Sequence, residues 1–95
     1  MQQVSVFHAN MKTILGKKTR EITLEEFKLL VGKKLLEIDL GTGDGRFVYK
    51  NGLKNKKTFF IGIDPVEKQL QKYSRDAVRK KLNNVLFVVG SAENL

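Results

Sequence analysis

Residues 35–45 read Leu35-Leu36-Glu37-Ile38-Asp39-Leu40-Gly41-Thr42-Gly43-Asp44-Gly45. The run from Leu35 to Leu40 is too short for a helix and apolar enough for a strand, interrupted only by Glu37 and Asp39. Near-continuous apolar runs of this kind belong to parallel strands covered on both faces, so a buried parallel strand is expected here. Three glycines at alternate positions follow it. Glycine lets the chain turn sharply, and its missing Cβ lets a ligand approach the backbone closely. Ligands of open α/β sheets bind at the carboxyl ends of the strands, which is where this loop falls.

The pattern continues downstream. A helix is expected over Arg46 to Leu53, a basic turn over Lys54 to Lys57, and a second strand over Thr58 to Ile63, stopped by Asp64-Pro65. A long helix from Val66 to Leu82 follows, with Leu70, Tyr73 and Ala77 inward and lysines and arginines outward. Val85 to Val89 reads as a third strand and Gly90 to Leu95 as a loop. Strand, helix, strand, helix, strand is the first half of a doubly wound, mostly parallel Rossmann-like sheet.

Upstream, Thr13-Ile14-Leu15 and Thr19-Arg20-Glu21-Ile22 flank Gly16-Lys17, the signature of a β-hairpin. Thr23 with Glu26 forms a capping box. It opens a short helix with Leu24, Phe27, Leu30 and Val31 on one face and Gly32 suited to a left-handed C-terminal cap. Residues 1–10 are expected to be an N-terminal extension, with Met11 a possible second start, and residues 11–95 one domain. The chain ends after the third strand, where a doubly wound fold would continue, so a truncated domain is expected.

Composition narrows the partner. The 95 residues carry a net charge of +8, which favours a polyanion over a neutral small molecule. There is no Cys and one His, His8, so thiolate metal sites and disulfides are excluded and no metal is expected. No apolar run approaches the roughly 20 residues that span a bilayer. The N-terminus also lacks a signal-peptide pattern, so no membrane partner and a cytoplasmic location are expected.

The glycine loop fits neither common phosphate-binding pattern. A dinucleotide fingerprint would need glycine where Arg46 stands, and the P-loop lysine is missing. Gly41-x-Gly43-x-Gly45 instead resembles motif I of S-adenosylmethionine-dependent methyltransferases, whose loop wraps the methionine part of the cofactor. Asp64 closes the second strand, where a carboxylate can take both ribose hydroxyls. The competing reading is a helix N-cap before Pro65. Gly62 inside that strand marks close approach of a ligand or another backbone. Asp39 in a buried strand requires a cationic group, supplied either by the cofactor's sulfonium and ammonium or by an ion pair with a lysine or arginine.

Three segments are more specific: Ile38 to Arg46 with Tyr49-Lys50, Thr58 to Val66, and Asn84 to Val89. Together with the hairpin and short helix they resemble the 16S ribosomal RNA adenine N1-methyltransferases that confer aminoglycoside resistance at the decoding site. The resemblance spans residues 11–95. It implies S-adenosylmethionine as cofactor, with Asp39, Gly41, Thr42, Gly43 and Gly45 at the methionine end and Asp64 on the ribose. It implies Ser91, Ala92 and Glu93 around the adenine, with Ser91 where many members carry Asp and Glu93 the substitute acidic group. It also implies small-subunit ribosomal RNA as partner, docked on Lys72, Arg75, Arg79, Lys80 and Lys81. The family's target base is held by tryptophans later in the chain; none occurs here, so no methyl transfer is expected from these residues alone. Two other readings stand beside this one: a transfer-RNA guanine N7-methyltransferase, and a non-catalytic nucleic-acid-binding module of the same fold.

Overall fold

The computed structural model describes residues 10–91. Ala92, Glu93 and most of the expected N-terminal extension lie outside the described residues. The elements are β1 (Met11–Leu15), β2 (Lys18–Ile22), α1 (Leu24–Val31), β3 (Leu35–Leu40), α2 (Arg46–Lys54), β4 (Thr58–Asp64), α3 (Glu67–Arg79) and β5 (Val85–Val89). They build one five-stranded sheet in the order β2-β1-β5-β4-β3. β3, β4 and β5 are parallel neighbours, as the alternation with helices requires. The hairpin completes the sheet by pairing β1 antiparallel to β5, with Thr13 opposite Val88 and Ile14 opposite Phe87.

Each buried face of the sheet has its own core. Phe59, Ile61 and Ile63 of β4 join Leu86 and Val88 of β5, Met11, Ile22 and Phe27 on the α1 side. Phe60 and Phe87 turn the other way, toward Ile14, Val48 and Tyr49, Leu70 and Ala77 on the side of α2 and α3. The alternation follows from the two-residue period of a strand. β4 is buried along its whole length, and each such large side chain contributes about 1.5–3 kcal/mol.

Among the described residues β3 lies at the edge of the sheet, paired with β4, and Leu35, Leu36, Ile38 and Leu40 are exposed there. Apolar composition reports that a strand is built to be covered, while its place in the sheet is decided by pairing between distant segments. The α1 face is covered only in part, because this helix has eight residues. Phe27 is buried and Leu24 and Val31 pack beside it, but Leu30 is exposed rather than inward. The capping box forms as expected, with Glu26 N–H donating to Thr23 Oγ1 at 3.1 Å and Thr23 N–H to Glu26 Oε1 at 2.9 Å. Gly32 has φ 60° and ψ −129°, a glycine conformation with positive φ but not the left-handed helical one. α3 is shorter than its pattern suggests: it starts at Glu67 and ends at Arg79, leaving Lys80 to Leu82 in the turn that closes it. No helix among the described residues is long and apolar enough to cross a membrane.

Candidate functional site

The glycine loop lies at the carboxyl ends of β3 and β4 and is clamped to β4. The N–H groups of Gly41 and Thr42 both donate to Ile63 O, at 2.8 and 3.0 Å, and Gly45 N–H donates to Thr42 O at 3.1 Å. Gly43 N–H donates to Asp64 Oδ2 at 2.9 Å. Gly41 and Gly43 both hold φ near +66°, a region that side chains with Cβ rarely adopt, and the space where a Cβ would project is open at each. The backbone of Gly41 and Gly43 is therefore bare on its outer side.

Gly45 plays a different part. It is buried at the start of α2 with φ +85°, and a Cβ there would fall 2.4 Å from Phe87 Cε1. It lets α2 enter directly over β5, while Asp44 Oδ1 accepts the Arg46 N–H at 3.0 Å. Gly62 likewise serves packing. A Cβ on it would meet the Thr42 side chain at 3.0 Å and Val48 at 3.1 Å, so the close approach inferred from sequence is made by those side chains rather than by a ligand or backbone.

Asp64 is buried, and both its carboxylate oxygens hold backbone. Oδ2 takes Gly43 N–H and Oδ1 takes Val66 N–H at 3.0 Å. The helix-cap reading is not what is found: Val66 is the N-cap of α3, and Asp64 closes the turn through Pro65 instead. Each oxygen has a second lone pair available to a hydroxyl donor. Asp39, half-buried on β3, accepts the Thr42 hydroxyl at 2.8 Å through Oδ2. The lysine or arginine ion pair considered for it is not among those found in the described residues. Edge position explains this, since half-exposed Asp39 keeps contact with water and does not require a buried countercharge. Ser91 follows β5, beyond Gly90, whose N–H donates to Asp64 O at 3.1 Å. The loops after β3, β4 and β5 thus converge on Asp64. Ala92 and Glu93 lie outside the described residues.

The basic residues proposed for docking share α3 and its closing turn. Lys72 and Arg79 are both paired with Asp76, and Lys72 Nζ also sits 4.4 Å from the centre of the Tyr73 ring. Arg75, Lys80 and Lys81 have no ion pair among the described residues. Lys81 N–H donates to Val78 O and Leu82 N–H to Ala77 O, a Schellman closure in which Lys81 occupies the usual glycine place at φ 56°.

Two positioning residues went unremarked in the sequence. Ser74, fully buried, donates to Ile14 O at 2.9 Å and accepts Gly16 N–H at 2.6 Å, tying the hairpin to α3. Its spacing from Leu70, on the same inward face of the helix, was the available signal. Asn84, also fully buried, directs its Nδ2 at Gly52 O, Asn55 O and Thr58 O at 3.0–3.1 Å. It joins the end of α2 to the starts of β4 and β5, and no local pattern announces it.

Comparison with known proteins gives this geometry a family. Over 90 residues the chain is 40% identical to the 16S rRNA (adenine(1408)-N(1))-methyltransferase of Escherichia coli, covering 90% of this chain and 41% of that protein. The chain therefore spans about two fifths of the length of that curated relative. The solved 30S ribosomal A1408 methyltransferase from an uncultured bacterium superposes with a TM-score of 0.81 at 44% identity, covering 90% of this chain and 42% of its own. The tRNA (guanine-N(7)-)-methyltransferase of Malacoplasma penetrans is 34% identical over 62 residues, 63% of this chain and 28% of that protein. The family model of NpmA, 16S rRNA (adenine(1408)-N(1))-methyltransferase, matches residues 12–95, and the chain belongs to that family.

Proposed function

We propose that this chain forms the S-adenosylmethionine-binding part of a cytoplasmic methyltransferase acting on N1 of an adenine in the decoding region of small-subunit ribosomal RNA. The observation that carries the reading is the clamped glycine loop, open above Gly41 and Gly43 and flanked by the carboxylates of Asp39 and Asp64. The residues fit the cofactor chemically. Asp64 has acceptor capacity left for two ribose hydroxyls, and Asp39 has one oxygen not engaged by Thr42, at the end where a cationic methionine moiety would lie. Thr42 and Gly45 shape the loop rather than line it, while Ser91, Ala92 and Glu93 are assigned to the adenine. When bound, the cofactor supplies a methyl group already activated on a sulfonium, so the protein contributes position and electrostatics.

Docking on RNA is assigned to Lys72, Arg75, Arg79, Lys80 and Lys81, and the charge of +8 supports a polyanionic partner. The transfer-RNA reading is supported by a match over a smaller part of the chain.

The test is calorimetric titration of the protein with S-adenosylmethionine. Asp39→Ala removes one carboxylate while breaking only the Thr42 hydroxyl contact, and a charged hydrogen bond stabilises by about 1.5–3 kcal/mol, so affinity is expected to fall about tenfold or more. Unchanged affinity in a folded variant overturns the assignment. Methyl transfer by the intact enzyme to purified small subunits, but not to transfer RNA, separates the two acceptors.

A further inference from the structure

The two ends of the parallel sheet differ in charge. At the carboxyl end the carboxylates of Asp39, Asp44, Asp64 and Glu67 lie with the cations Lys12, Arg46 and Lys68. At the amino end run four connections: residues 15–18 between β1 and β2, 32–34 before β3, 54–57 before β4, and 79–84 before β5. These four connections carry ten lysines and arginines and no carboxylate. Strand direction alone places them together, because β1 descends antiparallel to β5 and each helix returns the chain to the same end.

Within this basic end, Lys33, Lys34, Lys56 and Lys57 line a single open depression with Leu35 at its floor. The two lysine pairs immediately precede adjacent strands, held together by the first rung of the β3–β4 ladder, Leu35 with Thr58, and by Leu35 N–H donating to Lys57 O at 3.3 Å. Neighbouring strands are about 4.8 Å apart, so the backbone carries the four lysines close together, within reach of one another's field at physiological salt. None of the ion pairs among the described residues involves these four lysines. A rigid backbone that crowds like charges without a carboxylate partner is complementary to a polyanion.

We propose that Lys33, Lys34, Lys56 and Lys57 form a second RNA-backbone contact, at the end of the sheet opposite the cofactor loop and separate from α3. The inference rests on the reading of the protein as an RNA-binding methyltransferase. RNA is favoured over a membrane surface because the depression offers one exposed leucine and no aromatic side chain to enter lipid. Arg79, Lys80 and Lys81 lie at the same end, since α3 descends away from Asp64 by 13 residues, about 20 Å of helix. A folded RNA reaching the cofactor loop would thus be gripped about 20 Å from the reacting base, and the depression extends that grip along the base of the sheet.

The experiment measures association with purified 30S subunits across a salt series, using the parent, K33Q/K34Q/K56Q/K57Q, K33R/K34R/K56R/K57R and R79E/K80E/K81E. The glutamine variant is expected to bind more weakly by about a hundredfold or more at 0.1 M salt, with a salt slope smaller by about 2–3. The arginine variant is expected to bind like the parent, and S-adenosylmethionine affinity to be unchanged in both, which also certifies the fold. Parent-like 30S binding by the glutamine variant, with loss in the α3 variant, overturns this contact and leaves the RNA reading standing. Parent-like binding by both overturns the contact and the docking assignment together. A loss seen only with phosphatidylserine vesicles overturns it in favour of a lipid surface.

Discussion

Asp64→Ala tests whether the carboxylate proposed for the ribose also holds the glycine loop together. Removing it leaves the N–H groups of Gly43 and Val66 without their acceptors, at 2.9 and 3.0 Å in the parent. A hydrogen bond to a charged group contributes about 1.5–3 kcal/mol. Water can reach the edge of this site, so the low end applies and the two together amount to about 3 kcal/mol. For a domain of this length total stability is on the order of 5–14 kcal/mol, so the loss is a substantial fraction of it. The assay is urea unfolding followed by circular dichroism in the absence of cofactor. With a slope of about 1–3 kcal/mol per molar urea, the midpoint falls by about 1 M or more. Asp64→Asn retains one acceptor and presents an amide donor to the other N–H, so it recovers part of the loss but not all of it. A cofactor-free Asp64→Ala protein within about 0.5 kcal/mol of the parent would refute the reasoning, since the carboxylate would then hold no loop backbone.

Three further outcomes follow from particular contacts. Gly45→Ala combines left-handed strain of about 1–2 kcal/mol with a Cβ 2.4 Å from Phe87, for a loss of about 2–4 kcal/mol in denaturant unfolding. Pairing it with Phe87→Ala in a double-mutant cycle returns the steric part as a favourable coupling, whereas additive effects would place the whole cost in the backbone. Lys81→Gly relieves the positive φ at the Schellman position and raises stability by about 1 kcal/mol, while association with 30S subunits weakens; a variant no more stable than the parent refutes the strain argument. The Glu26 carboxyl is held below the ordinary glutamate range, first by the Thr23 N–H and then by Arg20. Its contribution is therefore present above the unfolded-state pKa near 4.5 and is lost as pH falls through the lower folded value. Urea midpoints of the parent and Glu26→Gln should converge as the solution is acidified below that range, and a difference that persists at low pH contradicts it.

What could be read from the residues was local. The hairpin at Gly16-Lys17, the capping box of Thr23 and Glu26, and the strands ending at the glycine loop and at Asp64 each leave a mark within a few positions. These are satisfied by hydrogen bonds and periodicities that span less than a turn or a strand. The loop's resemblance to a cofactor site was legible for the same reason, because Gly41 and Gly43 answer to backbone conformation at φ near +66°. Ser91 was legible only as a neighbour of β5, and Ala92 and Glu93 lie outside the described residues.

Tertiary structure alone decided the rest. Nothing near Leu35 to Leu40 says that β3 pairs in parallel with β4, because that ladder joins it to residues more than twenty positions away. Gly62 yields space to Thr42 and Val48, Gly45 to Phe87, and Asn84 gathers three carbonyls from α2, its following turn and β4, all contacts between segments distant in sequence. Along the chain the basic residues of the four connections are far apart, those at 54–57 read as a basic turn and those at 79–81 as part of the docking set. They become one basic end because parallel strands return every connection of a kind to the same side of the sheet, a consequence of strand direction that no single segment contains.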